Sequence, residues 1–167
     1  DQLTRDITNI GKYKLITNSA IKKGYSGTAI YTKINPNRID TKFGMKKFDD
    51  EGRMIRLDFK DFILINLYVP NGGRKKENLD YKLNFYKNLF IYLESLESKR
   101  VILCGDFNIA HKKIDLARPN ENKNNTMFTP KERKQLDKLV EIGFIDSFRI
   151  FNKKGGNFSW WAYFRNL

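Results

Sequence analysis

At 167 residues the chain is long enough to bury one hydrophobic core and too short to expect two domains. Its 40% hydrophobic and 14% aromatic content excludes a disordered chain. The excess of 32 Lys and Arg over 19 Asp and Glu, a formal charge of +13, suits a polyanionic partner, either nucleic acid or an anionic membrane surface. The chain is also rich in Lys, Asn and Ile, as an AT-rich genome would make it, so part of that charge can be compositional drift. A single cysteine, Cys104, excludes an internal disulfide framework and fits a reducing compartment. In its apolar surroundings it reads as an inert core residue. The longest apolar stretch falls short of a membrane span and no signal-peptide pattern opens the sequence, which leads us to expect a soluble intracellular protein.

In chain order, residues 28–33 (TAIYTK) read as a short strand entered through the turn region of Gly24 and Gly27. Residues 53–59 (RMIRLDF) alternate Ile55, Leu57 and Phe59 with Arg56 and Asp58, the period of a half-buried strand. A turn at 49–52 (DDEG) predicts a hairpin over 43–59. Residues 62–70 (FILINLYVP) form a nearly continuous apolar run stopped by Pro70 and Asn71-Gly72-Gly73, a central strand covered on both faces and leading into a loop. Leu79, Leu83, Tyr86, Leu89, Phe90, Leu93 and Leu96 predict an amphipathic helix of about five turns. A buried strand follows at 101–104 and breaks at Gly105.

A polar stretch at 118–126 separates that strand from a second helix. Thr129 is its N-cap, Pro130 its first residue and Glu132 the closing member of a capping box. Leu136, Leu139 and Val140 should form its buried stripe, and Gly143 its end. Residues 157–163 (NFSWWAY) read as a final aromatic strand. Hairpins mixed with strand–helix–strand units predict an α/β layered domain with mixed sheets. Position 1 is Asp and the chain stops just after a predicted strand, leaving an uncovered edge, so a fragment is expected.

Asp106 and Asn108 end the strand 101–104 with one residue between them, so an extended backbone would send both side chains to the same side. A carboxylate there can act as general base or metal ligand, and an amide can donate to an oxyanion. Asp and Asn are equally common turn formers at strand exits, and GDFN alone leaves both readings open. Tyr68, Asn71 and Arg74 follow the central strand, and a phenol, an amide and a guanidinium together suit a phosphodiester. The alternative is a strand tyrosine beside a solvated loop.

Basic loops at 22–25, 74–76, 112–113 and 153–156 flank predicted strands and can track a phosphate backbone. Tyr25, Trp160, Trp161, Tyr163 and Phe164 lie near them in sequence and can stack on or wedge between bases. Core aromatics with solvated lysines are the alternative, with Trp161 an easy core residue. His111 has no second His or Cys at metal-ligand spacing, which argues against zinc; any metal would be Mg²⁺ on carboxylates and waters.

Taken in order, KKGYSGTAIYTK, EGRMIRLDF, NLYVPNGGR, VILCGDFNIAHKKIDLARP, FTPKERKQLDKLVEIGFIDSFR and FSWWAYFR closely resemble the exonuclease III-type abasic-site endonucleases. These belong to the endonuclease/exonuclease/phosphatase superfamily. The resemblance runs along essentially the whole chain, and the stretch from His111 to Arg133 with the FSWW segment points to the abasic-site branch. It implies a DNase I-like α/β (α+β) fold, a four-layer sandwich of two packed, mostly antiparallel sheets flanked by helices, in one partial domain truncated at both ends. The implied activity is Mg²⁺-dependent (or Mn²⁺-dependent) hydrolysis of double-stranded DNA on the 5′ side of an abasic site, with 3′-5′ exonuclease trimming of damaged 3′ ends, by a monomer with no membrane role.

By that resemblance Asp106 activates the attacking water, Asn108 holds it and the phosphate oxygens, and Tyr68 contacts the scissile phosphate. Asp106 and Asn108 are also the metal-ligand candidates. Asn71 and Arg74 resemble the backbone-contacting loop, Tyr25 a glycine-rich DNA-contact loop, and Asn122 and Asn125 amides that grip phosphates beside the lesion. Trp160 matches a wall of the abasic-sugar pocket and Phe164 a wedge into the DNA helix. The family's metal-binding glutamate, a further asparagine, a second aspartate and a Ser-Asp-His triplet have no counterpart within the 167 residues, so the piece alone is expected to be inactive and poorly folded. The rival readings are a superfamily phosphoesterase acting on inositol phosphates, phospholipids or RNA, and a non-catalytic nucleic-acid-binding remnant.

Overall fold

Alternating apolar residues at 54–58 and 63–68 build the frame that carries the candidate site. The computed structural model describes residues 8–97 and 100–161, and their strands fall into two sheets. In the first, β1 (Lys14–Ser19) pairs antiparallel with β2 (Gly27–Thr32). The second runs in the order β3 (Arg38–Asp40), β4 (Met54–Asp58), β5 (Ile63–Tyr68) and β6 (Val101–Asp106). Its first three strands are antiparallel, while β6 runs parallel to β5. The helices are α1 (Lys46–Asp49), α2 (Leu79–Glu94), α3 (Pro130–Glu141) and α4 (Ser147–Phe151), with a 3₁₀ turn at Lys113–Asp115. Because α2 lies between β5 and β6 in the chain, the parallel pair is a strand–helix–strand unit, as expected.

The described residues of Asp1–Pro70 and Asn84–Phe107 cluster as one compact unit, and those of Asn71–Leu83 and Asn108–Leu167 as a second. Both sheets belong to the first. On one face of its larger sheet Leu57 opposes Leu64 and Ile55 opposes Asn66. Ile55 and Leu57 pack there with Ile16 of β1, with Ile30, Phe59 and Leu64 partly buried around them, and Asn66 donates to the Ala29 carbonyl at 3.2 Å. The two sheets are therefore packed face to face. On the other face Met54, Ile65 and Leu67 are buried, and Arg56 donates to the Tyr92 hydroxyl of α2 at 3.4 Å. Phe85 of α2 meets Phe43 and Phe48 edge-on at 5.0 Å. Each fully buried side chain of this size stabilises the fold by about 1.5–3 kcal/mol.

In the second unit α3 starts as its sequence dictates. Thr129 Oγ1 accepts from the Glu132 amide at 3.2 Å, and the Glu132 carboxylate accepts from the Thr129 amide at 3.0 Å. Gly143 follows the helix with φ +102°. Arg149 of α4 pairs with Asp115 of the 3₁₀ turn.

Several expectations need correction. The hairpin over 43–59 does not form: residues 46–49 are helical, because Phe48 is buried against Phe85, and β4 pairs instead with β3. The strand expected at 101–104 continues through Gly105 to Asp106; among the described strands it is the last of its sheet, with Ile102 and Cys104 exposed. Cys104 is thus no core residue. On α3 Leu139 is buried but Val140 is 52% exposed. Residues 157–161 form no strand, no described strand lying beside them to complete a ladder, and Trp161 is exposed; 162–163 lie outside the described residues. β1 and β3 were not foreseen. No helix among the described residues is long and apolar enough to cross a membrane.

Candidate active site

Within the first unit the site candidates meet at the end of the parallel pair. The β5–β6 register sets Tyr68 opposite Asp106, continuing the series Leu64–Ile102 and Asn66–Cys104, so both residues share one face of the sheet. The Val69 amide donates to the Asp106 carbonyl at 2.9 Å and holds the two strand ends together. Gly105 makes this approach possible. It has φ +116°, and a Cβ there would lie 2.0 Å from the Leu67 carbonyl oxygen. No other residue type fits without moving β6 off β5.

Beside Tyr68 stands a residue that sequence reasoning passed over. Arg53, 5% exposed, has its guanidinium carbon 5.0 Å from the Tyr68 ring centroid and 5.8 Å from that of Tyr25. Its Nη1 donates to the Tyr68 carbonyl at 3.0 Å, and its Nε pairs with the Glu51 carboxylate. The arginine thus links the β1–β2 loop, where Tyr25 is 53% exposed, to the end of β5. No local pattern marks it, since a charged residue just before a strand is ordinarily solvated.

The second unit holds the amides. Asn71 accepts from the Gly73 amide at 2.8 Å, an Asx turn that fixes its side chain, and its Nδ2 donates to Asn108 Oδ1 at 3.2 Å. Asn108 is 8% exposed with φ +51°. The strand β6 itself ends at Asp106. Arg74 is exposed in the same loop as Asn71. Asn122 and Asn125 stand together on the 118–128 turn, with Asn125 Nδ2 donating to Asn122 Oδ1 at 3.3 Å and Asn122 Nδ2 to the Arg118 carbonyl at 2.8 Å. Trp160 is 67% exposed in an irregular segment. Phe164 and Tyr163 lie outside the described residues.

Behind the amides is a second pair that the sequence reading missed in part. Lys82 and Glu132 are fully buried against each other, Nζ to Oε1 at 2.7 Å, and Lys82 Nζ also donates to the Asn108 carbonyl. Its sequence context marks Glu132 only as a capping residue. Burial works to raise its pKa, but hydrogen bonds from Lys82 and Thr129 outweigh it and hold the carboxyl below the ordinary glutamate range. A signal for Lys82 did exist: it occupies a position in α2 where the three- and four-residue spacing of Leu79, Leu83 and Tyr86 calls for an apolar side chain.

His111 is a loop residue whose Nε2 lies 2.8 Å from Asp137, which also pairs with Lys112 at 2.6 Å. Among the described residues no group of three or more His, Cys, Asp or Glu gathers closely enough to hold a metal. The Asp106 carboxylate and the Asn108 amide oxygen are hard donors of the kind Mg²⁺ takes, and such sites commonly use one or two carboxylates with waters and substrate phosphate filling the remaining positions.

The profile of the Endonuclease/Exonuclease/phosphatase family matches residues 4–166. The exodeoxyribonuclease of Bacillus subtilis (strain 168) is 41% identical over 153 residues, covering 90% of this chain and 61% of the relative. The DNA-(apurinic or apyrimidinic site) endonuclease of Dictyostelium discoideum is 42% identical over 148 residues, 86% of this chain and 41% of that protein. An AP endonuclease structure from Archaeoglobus fulgidus superimposes with a TM-score of 0.84 at 28% identity, over 93% of this chain and 60% of that one. The chain thus spans about three fifths of the Bacillus relative. Two sheets with helices, in the DNase I-like fold, are what the sequence had led us to expect.

Proposed function

Because the chain belongs to the endonuclease/exonuclease/phosphatase family, we propose that it is a DNA-repair phosphodiesterase that cuts duplex DNA on the 5′ side of an abasic site. Trimming of damaged 3′ ends is part of the same reading, as is an intracellular monomer. The observation that carries it is the register of Tyr68 with Asp106 at the end of β5 and β6, a phenol and a carboxylate on one face at adjacent strand exits.

Hydrolysis adds the oxygen of water to phosphorus and breaks the bond from phosphorus to the 3′ oxygen of the nucleotide preceding the lesion. Asp106 takes a proton from the attacking water, and the departing 3′ oxygen gains one, leaving a 3′-hydroxyl. Tyr68 hydrogen-bonds a non-bridging oxygen, and the Asn108 amide, oriented by Asn71, holds the water and a second oxygen where charge develops. Asn71, Arg74, Tyr25, Asn122 and Asn125 grip phosphates along the strand, which the +13 charge favours. Trp160 lines the abasic-sugar pocket and Phe164 enters the helix. A divalent cation, Mg²⁺ or Mn²⁺, would be held by Asp106 and Asn108 and would stabilise the charge on the phosphate.

The test is cleavage of a duplex carrying one abasic-site analogue by the full-length protein, with and without the Asp106→Ala substitution. A single cut 5′ to the lesion that Asp106→Ala abolishes while duplex binding persists is the expected result. Binding without turnover in the wild type would favour a non-catalytic module. Phosphoinositide hydrolysis with no DNA cleavage would favour a superfamily phosphoesterase of another class.

A further inference from the structure

The Lys82–Glu132 pair touches no candidate substrate group, since neither side chain has exposed surface. Burying two charges is commonly no better than an apolar pair of the same volume, so packing alone does not explain it. Its hydrogen bonds do. Lys82 Nζ donates both to Glu132 Oε1 at 2.7 Å and to the main-chain carbonyl of Asn108. Glu132 Oε1 also accepts from the Met127 amide at 3.0 Å, and its Oε2 accepts from the Thr129 amide at 3.0 Å and the Thr129 hydroxyl at 2.7 Å.

Asn108 and Met127 share an unusual conformation. Both are non-glycine residues in the left-handed region, at φ +51° and +70°, a conformation that asparagine takes fairly readily and methionine only rarely. The ion pair grips one with each partner. Between them the Ala110 amide donates to the Met127 carbonyl at 2.9 Å. Met127 in turn ends the turn bearing Asn122 and Asn125, the Phe128 amide donating to the Asn125 carbonyl at 3.0 Å. One buried pair therefore ties the backbone of Asn108 to the turn that carries the other amides.

We propose that Lys82, with Glu132, is a positioning residue for phosphodiester cleavage, acting through the backbone of Asn108 rather than on the substrate. The inference rests on the function proposed above. It separates stability from positioning, because an apolar or neutral replacement of the whole pair removes the charges without leaving one stranded.

The experiment uses the full-length protein and an abasic-site duplex. Lys82→Met should lower kcat about 100-fold, the size expected when a reacting group is misplaced by an ångström. The double variant Lys82→Met/Glu132→Gln should recover thermal stability and not kcat, while Lys82→Arg, which can donate to both partners, should retain most of the activity. In an Asn108→Ala background Lys82→Met should cause no further loss of kcat, because its effect is already gone. Wild-type kcat in a stable double variant, or an undiminished Lys82→Met effect in the Asn108→Ala background, would overturn the proposal. A wild-type protein that fails to cut the duplex overturns the functional reading itself, and this inference with it.

Discussion

Tyr68 and Asp106 end two parallel strands as register partners, and the glycine before Asp106 sets how closely those strands meet. The carboxylate and the phenol come from motifs far apart in the sequence, brought together by one ladder.

Gly105→Ala should therefore disturb both stability and chemistry. A Cβ would sit 2.0 Å from the Leu67 carbonyl oxygen at a residue with φ +116°. The backbone strain alone costs about 1–3 kcal/mol, before the clash is relieved. Thermal unfolding followed by circular dichroism should show a clear drop in Tm, and cleavage should fall as Asp106 moves. A variant with wild-type Tm and activity would mean that β6 tolerates displacement.

Arg53→Met should weaken the site from behind. It removes the guanidinium between Tyr25 and Tyr68 and leaves the Glu51 carboxylate without its partner arginine. We expect a stability loss of about 2–4 kcal/mol, most of it from stranding that charge. Arg53→Lys should recover only part of it, since an ammonium lacks the planar fork. Urea titrations of the three proteins check the ordering.

Asn71→Ala removes the donor that orients the Asn108 amide at 3.2 Å. The expected outcome is a fall in kcat of about 10-fold or more, in the range seen when a group aimed at a transition state loses its support. Single-turnover kinetics separate this from binding. A change confined to KM would make Asn71 a phosphate contact and nothing more.

Thr129→Ala breaks the capping box of α3, in which Thr129 and Glu132 exchange hydrogen bonds at 3.2 and 3.0 Å. Loss of such a cap costs about 1 kcal/mol. Thr129→Ser should be close to neutral, and differential scanning calorimetry resolves the two.

Glu132 predicts an acid sensitivity with a definite sign. Its carboxyl is held below the ordinary range in the folded protein, because the Lys82 and Thr129 hydrogen bonds outweigh the effect of burial. Its stabilisation is therefore present above the unfolded-state pKa, at about 4.3, and is lost as pH falls through the lower folded value. Unfolding free energy should decline below that region, and Lys82→Met/Glu132→Gln should flatten this part of the profile. An unchanged slope would show that other carboxylates set it.

The sequence by itself determined what depends on near neighbours. The Thr129–Glu132 box, the apolar spacing of α2 and the alternation of β4 and β5 are patterns within a few residues, and helix and strand periods read them directly. The apolar runs at 62–70 and 101–104 likewise placed Tyr68, Asp106 and Asn108 at strand exits. Tertiary structure decided what depends on distant partners. Lys82 is buried because Asn108 and Glu132, 26 and 50 residues away, receive its ammonium hydrogens. Residues 43–48 left the predicted hairpin because Phe48 found Phe85, and β4 took the three-residue β3 as its partner instead. Arg53 joins Tyr25 to Tyr68 only after two sheets have packed. Local propensity records none of this, since the free energy of burying a charge or pairing an edge is set by whatever the folded chain brings alongside.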